Sequence, residues 1–204
     1  MGVKERREKQ REELRQEILD AARTLFIREG YENVSMRKVA EKIEYSPTTI
    51  YLYFKSKAEL LNCLCEETFA KLGARLEALA KDSPDPVEGL RKGLRVYIEF
   101  GLKNPSHYTV TFINHPLHHE GLGEEFAYEG SMGHKAFSYL SAAVGECVRQ
   151  KKFRRVDVEA TSQATWAAVH GLTSLLIVHP DFPWVARNKL IDSLLDTLIE
   201  GLKA

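Results

Sequence analysis

Residues 46–57, Ser-Pro-Thr-Thr-Ile-Tyr-Leu-Tyr-Phe-Lys-Ser-Lys, constrain this chain more than any other stretch. They read as a short helix whose outward face makes a poor solvent surface. Ser46 is placed to cap the N-terminus, its hydroxyl accepting an orphan backbone N–H. Pro47 falls at the first helical position, where a missing donor costs nothing. Ile50 and Phe54 lie four apart and share a face with Pro47, so that face is expected to be buried. At about 100° per residue, Thr48, Thr49 and Leu52 then point outward, with Tyr51 and Tyr53 on the flanks and Lys55 and Lys57 just beyond. Threonine and leucine side chains suit base edges and thymine methyls, and tyrosine hydroxyls and lysines suit phosphates. Eight helical residues span roughly 12 Å, about the width of the B-DNA major groove. The competing reading is a helix packed on both faces, with the tyrosines in a core.

What precedes the segment favours the first reading. Ser35 is a candidate N-cap for a second short helix, in which Met36, Val39, Ala40 and Ile43 form an i, i+3, i+4, i+7 stripe. Only Glu44 and Tyr45 separate it from Ser46. Two short helices joined so tightly match a helix-turn-helix, whose second helix enters the major groove. Upstream, Leu14, Ile18, Ala21, Ala22, Leu25 and Phe26 mark a long amphipathic helix ending near Gly30, a suitable residue just past a helix end. Together these make a three-helix unit.

The stretch from about Ile18 to Leu61 resembles the DNA-binding domain of TetR-family transcriptional regulators. The matching residues are Ile18-Leu19-x-Ala21-Ala22-x-x-Leu25-Phe26, Gly30-Tyr31, Val39-Ala40, and Thr49-Ile50-Tyr51-x-Tyr53-Phe54-x-Ser56-Lys57-x-x-Leu60. Several fixed spacings over more than forty residues are far more specific than one short motif. Where the family usually has Gly in the turn, this chain has Glu44; a turn requiring φ > 0 would cost a non-Gly residue roughly 1 kcal/mol. The resemblance implies an all-α protein: a three-helix DNA-binding domain at about 12–72, with the helix-turn-helix at about 35–54, and a larger helical ligand-binding and dimerisation domain at 73–204. It implies a homodimer on a palindromic double-stranded DNA operator, most simply a repressor released by a small-molecule effector. Thr48, Thr49 and Leu52 are expected to read bases. Ser35, Arg37, Tyr51, Tyr53 and Lys57 are expected to fix register on phosphates.

A formal net charge of zero would argue against a polyanion partner, but the charge is unevenly placed. Residues 1–57 carry 13 Lys and Arg against 10 Asp and Glu, which leaves 16 against 19 for residues 58–204. The basic excess falls on the segment that carries the helix-turn-helix. Lys4 to Glu17 is almost wholly charged or Gln and lacks the apolar stretch of a signal peptide. It reads as a solvated helix start, with Glu5 and Lys9 paired at i,i+4. The sharper alternative is an arm placing Lys4, Arg6 and Arg7 near a minor groove. No apolar run approaches the 18 or so residues of a membrane span, and the chain is expected in the cytoplasm. Cys63, Cys65 and Cys147 show no zinc-like pair and read as reduced, partly buried thiols.

Beyond Lys57 the pattern stays helical. Leu60, Leu61, Leu64, Phe69, Leu72, Leu76 and Leu79 run through a long helix to about Ala80, the natural link between the two domains. Lys81 to Pro86 is a break, followed by a helix over Val87–Gly101 closed at Asn104-Pro105, and a short one around His107–Phe112. Ile113 to Gly123 reads as a loop, and residues 124–151, 157–179 and 184–203 as three more helices. The last carries Leu190, Ile191, Leu194, Leu195, Leu198 and Leu202, and the one before it Val169, Leu172, Leu175 and Leu176. In the family these two helices build the dimer interface, which the resemblance transfers to Leu172, Leu175, Leu176, Leu194, Leu195 and Leu198. Trp166 and His170, four apart before Gly171, resemble a Trp-His-Gly pattern of one branch of the family. With Tyr97, Phe100, Tyr108, Phe112 and Phe137 they are candidates to line a ligand cavity, or simply to pack a core with His170 hydrogen-bonded. His115, His118 and His119, beside Glu120, lack tight ligand spacing, so no metal site is assigned and no cofactor is expected. No Ser-His-Asp arrangement, apolar carboxylate pair or phosphate-binding glycine loop points to an enzyme. A helical protein–protein adaptor is the remaining rival, and its mark, loss of the Tyr/Thr/Lys face, is missing here.

Overall fold

The computed structural model describes residues 2–81, 84–113 and 128–204. Among them the chain forms α1 (Val3–Glu29), α2 (Met36–Lys42), α3 (Pro47–Tyr51), α4 (Lys57–Lys81), α5 (Pro86–Lys103), α6 (Pro105–Tyr108), a π-helical turn (Thr109–Ile113), α7 (Met132–Arg149), α8 (Val158–Val178) and α9 (Arg187–Glu200). The fold is all-α; the one β-type contact among the described residues is an isolated bridge between Phe153 and Lys203. Two compact units emerge, Met1–Thr68 with Ser106–Tyr128, and Phe69–Pro105 with Glu129–Ala204. The division is not one cut in the chain, because residues 106–113 join the N-terminal unit, and the chain crosses from one unit to the other inside α4.

In the N-terminal unit, Ile18, Leu19, Ala22 and Phe26 of α1 are buried together with Val39 and Ala40 of α2, Ile50 and Phe54, and Leu60, Leu61 and Leu64 of α4. Both expected caps form. Ser35 Oγ accepts the Lys38 amide at 3.2 Å, and Ser46 Oγ accepts the Thr49 amide at 3.1 Å. The turn between α2 and α3 is a Schellman motif. Tyr45 N–H reaches Ala40 O at 3.0 Å and Glu44 N–H reaches Glu41 O at 3.3 Å, with Glu44 at φ 60°. Of the two outcomes open at Glu44, a different turn geometry or a tolerated left-handed strain, the chain has the second. The same device ends α7, where Lys151 has φ 57° and Lys152 N–H bonds to Cys147 O at 2.9 Å.

α3 is shorter than the eight residues expected. After Tyr51 the bonding tightens, Leu52 N–H to Thr49 O and Tyr53 N–H to Ile50 O, so that Phe54 can turn into the core. Ser56 then caps α4 through the Glu59 amide at 3.0 Å, while the Glu59 carboxylate accepts Lys55 N–H at 2.5 Å. Pro47 is exposed and does not share the buried face with Ile50 and Phe54, since at N1 it precedes the first full turn.

In the C-terminal unit, Leu94, Tyr97, Ile98 and Phe100 of α5, Val144 and Cys147 of α7, Val169 and Thr173 of α8, and Ile191, Leu195 and Ile199 of α9 are buried. Arg91 and Arg95 of α5 pair with Asp192, and Arg91 also with Asp196 of α9. Of the helix expected over 124–151, residues 124–127 lie outside the described residues; α7 starts at Met132, because Gly130 sits at φ 82° and Ser131 caps the helix through the His134 amide at 3.0 Å. α9 starts at Arg187 rather than 184: the Trp184 indole N–H is turned back to His179 O at 2.9 Å, and Ala186 at the N-cap is extended, with ψ 125°. The loop expected from Ile113 to Gly123 lies almost wholly outside the described residues, as do His115, His118, His119 and Glu120.

Relief of the left-handed strain is measurable. Glu44→Gly is expected to raise unfolding stability by about 1 kcal/mol in denaturant titrations at fixed protein concentration. A loss of stability would show that the Glu44 side chain contributes more than its backbone costs.

Candidate nucleic-acid interface and cavity

The outward face of the helix-turn-helix is formed as its caps dictate. Thr48 is exposed, Tyr51 is 54% exposed and Leu52 is 73% exposed. Thr49 is half-buried, and its Oγ1 lies 2.9 Å from Ser46 Oγ, so its hydroxyl takes part in the cap. Tyr53 is half-buried with the Arg11 guanidinium 5.9 Å from its ring centre. Arg37 stands in solvent and pairs with Glu41 at 2.9 Å. The Ser35 hydroxyl is committed to its cap.

Lys57 is placed differently from its expected position on the phosphates. Its Nζ donates to Tyr31 O at 2.8 Å and sits 4.0 Å from the centre of the Tyr31 ring. Partial burial lowers its pKa against the opposing pull of Glu32. The ammonium braces the start of α4 against the end of α1 instead of pointing outward. Sequence reasoning passed over Tyr45, 44% exposed, and used Lys55 only as background. Tyr45 follows the left-handed residue of the turn, which throws its side chain outward beside α3. A Schellman motif ending at Glu44 was the signal that would have found it.

The C-terminal unit holds a cavity of about 450 Å3. The second half of α4 lines it with Leu72, Leu76 and Leu79, α5 with Leu90, Leu94 and Tyr97, α7 with Phe137 and Leu140, and α8 with Trp166 and Val169. Phe137 and Trp166 meet edge to face at 6.1 Å. The Trp166 indole N–H donates to Tyr97 Oη at 3.2 Å, and that oxygen lies 3.2 Å from His170 Nδ1. Burial lowers the His170 pKa, which favours the neutral ring in this chain of polar groups. Of the seven residues proposed for a cavity, Tyr97, Phe137 and Trp166 line it, and His170 stands behind Tyr97. Phe100 is buried beneath the Arg75 guanidinium, 5.2 Å from its ring centre, and is not on the wall. Tyr108 and Phe112 belong to the N-terminal unit, where their rings pack at 4.7 Å. The leucines of the wall were legible only as core, because a cavity lining and a core use the same residue types.

Leu195 and Ile191 are buried within the protomer and are not available to a partner. Leu172, Leu176, Leu194 and Leu198 are half-buried, and Leu175 is 46% exposed. Burial pushes the Cys65 thiol up to about 12 and Cys147 up to about 11, and Cys63 is also raised, so none is primed as a thiolate. No described helix is long and apolar enough to cross a membrane.

Burial of His170 is expected to make the fold sensitive to acid. A base whose folded pKa lies below its unfolded value, here below 6.5, contributes a cost that grows as pH falls through that value. Stability of the wild type should therefore fall below about pH 6.5. His170→Gln should remove that component in thermal melts between pH 7.5 and about 5; an unchanged pH slope would dissociate the effect from His170.

Residues 18–64 match the family described as bacterial regulatory proteins, tetR family, and residues 90–202 match the tetracyclin repressor-like C-terminal domain. The nucleoid occlusion factor SlmA of Cronobacter sakazakii is 26% identical over 155 residues, 76% of this chain and 75% of that protein. The transcriptional repressor KstR of Mycolicibacterium smegmatis is 37% identical over 78 residues, 38% of each chain. Among solved structures, the transcriptional regulator FadR of Bacillus subtilis, in complex with stearoyl-CoA, superposes with a TM-score of 0.79 at 20% identity, covering 92% of this chain and 98% of that one.

Proposed function

This chain belongs to the TetR family of DNA-binding transcriptional regulators, and on that footing we propose that it is an operator-binding repressor, acting as a homodimer and released by a small apolar effector. The observation that carries the reading is the exposed face Thr48–Tyr51–Leu52, held outward by the burial of Ile50 and Phe54 beneath it. A leucine so exposed between Thr48 and two tyrosines suits the major groove better than water.

In this reading Thr48 and Leu52 contact base edges, with Thr49 acting through its methyl and through the cap it shares with Ser46. Tyr51, Tyr53, Arg37 and Lys55 meet phosphates, Ser35 helps through its cap, and Lys57 acts indirectly as a brace. Two copies pair through the outward leucines of α8 and α9, Leu172, Leu175 and Leu176 with Leu194 and Leu198. Such a pair presents two recognition helices to a palindrome. The effector occupies the cavity of the C-terminal unit, whose leucine and aromatic walls suit an apolar molecule or chain. FadR, with its stearoyl-CoA, shows that a chain of this fold can hold a molecule with a long apolar tail. Because α4 contributes to that wall and also anchors Leu60, Leu61 and Leu64 in the N-terminal core, a filled cavity has a covalent route to the helix-turn-helix.

Selection from a random duplex pool at 100 mM salt tests the reading. The expected result is a palindromic consensus; absence of enrichment would overturn it. Leu52→Ala is expected to lose roughly 1–3 kcal/mol of discrimination at one position of each half-site while keeping the binding to unrelated duplex. Equal loss on every sequence would remove Leu52 from base readout.

A further inference from the structure

α1 runs well beyond the core it serves. Its buried residues begin at Ile18, whereas residues 2–13 are all exposed. The eleven helical residues 3–13 thus project as a rod roughly 16 Å long. At about 100° per residue, Lys4, Arg7 and Arg11 fall within an arc of roughly 60°, in line with Ile18, Ala22 and Phe26 further along. Arg6 and Lys9 lie on the far side of the rod by the same geometry.

The near side faces the recognition segment, because the Arg11 guanidinium lies over the ring of Tyr53. Arg15, one turn further on, lies over Phe54 at 5.3 Å and is tied to Glu12 and Glu67. The one carboxylate close to the near arc is Glu8, whose pair with Lys4 is fully solvated and 4.0 Å long. Exposed pairs of that kind contribute little and yield readily to a phosphate. Lys9, on the far side, pairs with Glu13 at 3.6 Å.

We propose that the projecting half of α1 is a second DNA-contact site, a rigid rail whose near-side cations Lys4, Arg7 and Arg11 bind the phosphodiester backbone beside the segment held by the helix-turn-helix. The inference rests on the DNA-binding reading above and adds a surface to it. The rail is helical through residue 3, so it does not act as an extended arm inserted in a minor groove, and Arg6 has no part in it. From Lys4 to Arg11 it covers roughly 10 Å, while the phosphates of one strand recur about every 3.4 Å along the duplex axis. Its contribution is independent of base sequence and adds to affinity and to the salt dependence of binding.

The test compares two full-length variants of equal charge. Lys4→Gln/Arg7→Gln strips the near side, and Arg6→Gln/Lys9→Gln strips the far side; Arg11 is left in place to keep the Tyr53 contact. Binding to a labelled non-palindromic 24-base-pair duplex is followed by anisotropy from 50 to 200 mM KCl, with helicity checked by circular dichroism. The near-side variant should flatten the slope of log K against log salt by about 2 for each protomer on the duplex, one phosphate contact being worth about 0.9. The far-side variant should change it by less than half a unit. Equal flattening in both would reduce the effect to net charge and overturn the rail, as would no change in the near-side variant. If the unaltered protein bound no duplex at any salt, the DNA-binding reading itself would fall.

Discussion

Burial of Ile50 and Phe54 is the contact on which the outward face of α3 depends. A five-residue helix cannot sustain itself in water, since nucleation alone costs more than so few hydrogen bonds return. These two side chains, fully covered among residues of α1, α2 and α4, contribute about 1.5–3 kcal/mol each. Because they sit four apart, they fix rotation about the helix axis as well as position. Leu52 is forced outward by that choice and has no alternative inside the unit. Ser46 at one end and the tightened bonds to Phe54 at the other keep the short helix from fraying. The Lys57–Tyr31 contact ties the start of α4 to the same frame.

The charge distribution follows the same frame. A net charge of zero conceals an N-terminal segment with surplus cations, several of them unshielded on α1 and near α3. Other cations are held in ion pairs: Arg23 of α1 by Asp20 and Glu67, and Arg91 and Arg95 of α5 by aspartates of α9. The side chains left facing solvent, rather than the total, decide what a polyanion meets.

How much was legible follows from range. The helix-turn-helix was readable because its signals are local: Ser35 and Ser46 cap, Pro47 starts, and Ile50 and Phe54 alternate at helical spacing. Even the position at risk of strain, Glu44, could be named in advance, as turn chemistry is a property of adjacent residues. What failed to show was set by distant partners. Lys57 is turned inward by a carbonyl 26 residues away. Tyr108 and Phe112 resembled cavity residues in composition, but the chain returns them to the N-terminal unit. Leu195 shares a stripe with Leu194 and Leu198, and only packing against the protomer's own core separates it from them. Stripe patterns locate a helix; they do not say which of two apolar neighbours lies against its own core and which awaits a partner.

α4 sets a physical bound on regulation. It is one continuous helix, with Leu60, Leu61 and Leu64 committed to the N-terminal core and Leu72, Leu76 and Leu79 to the cavity wall. Moving a two-state protein from almost wholly DNA-competent to almost wholly released takes about 5.5 kcal/mol of differential binding. An apolar ligand that covers about 200 Å2 more surface in the released state supplies roughly 5 kcal/mol. That is within the means of a 450 Å3 cavity, provided the ligand distinguishes the two states rather than merely filling either. In the proposed regulation, the wall of α4 leucines is one place where that distinction can be made. α5, α7 and α8 line the same cavity, and α4 is the lining helix that itself runs into the core orienting α3.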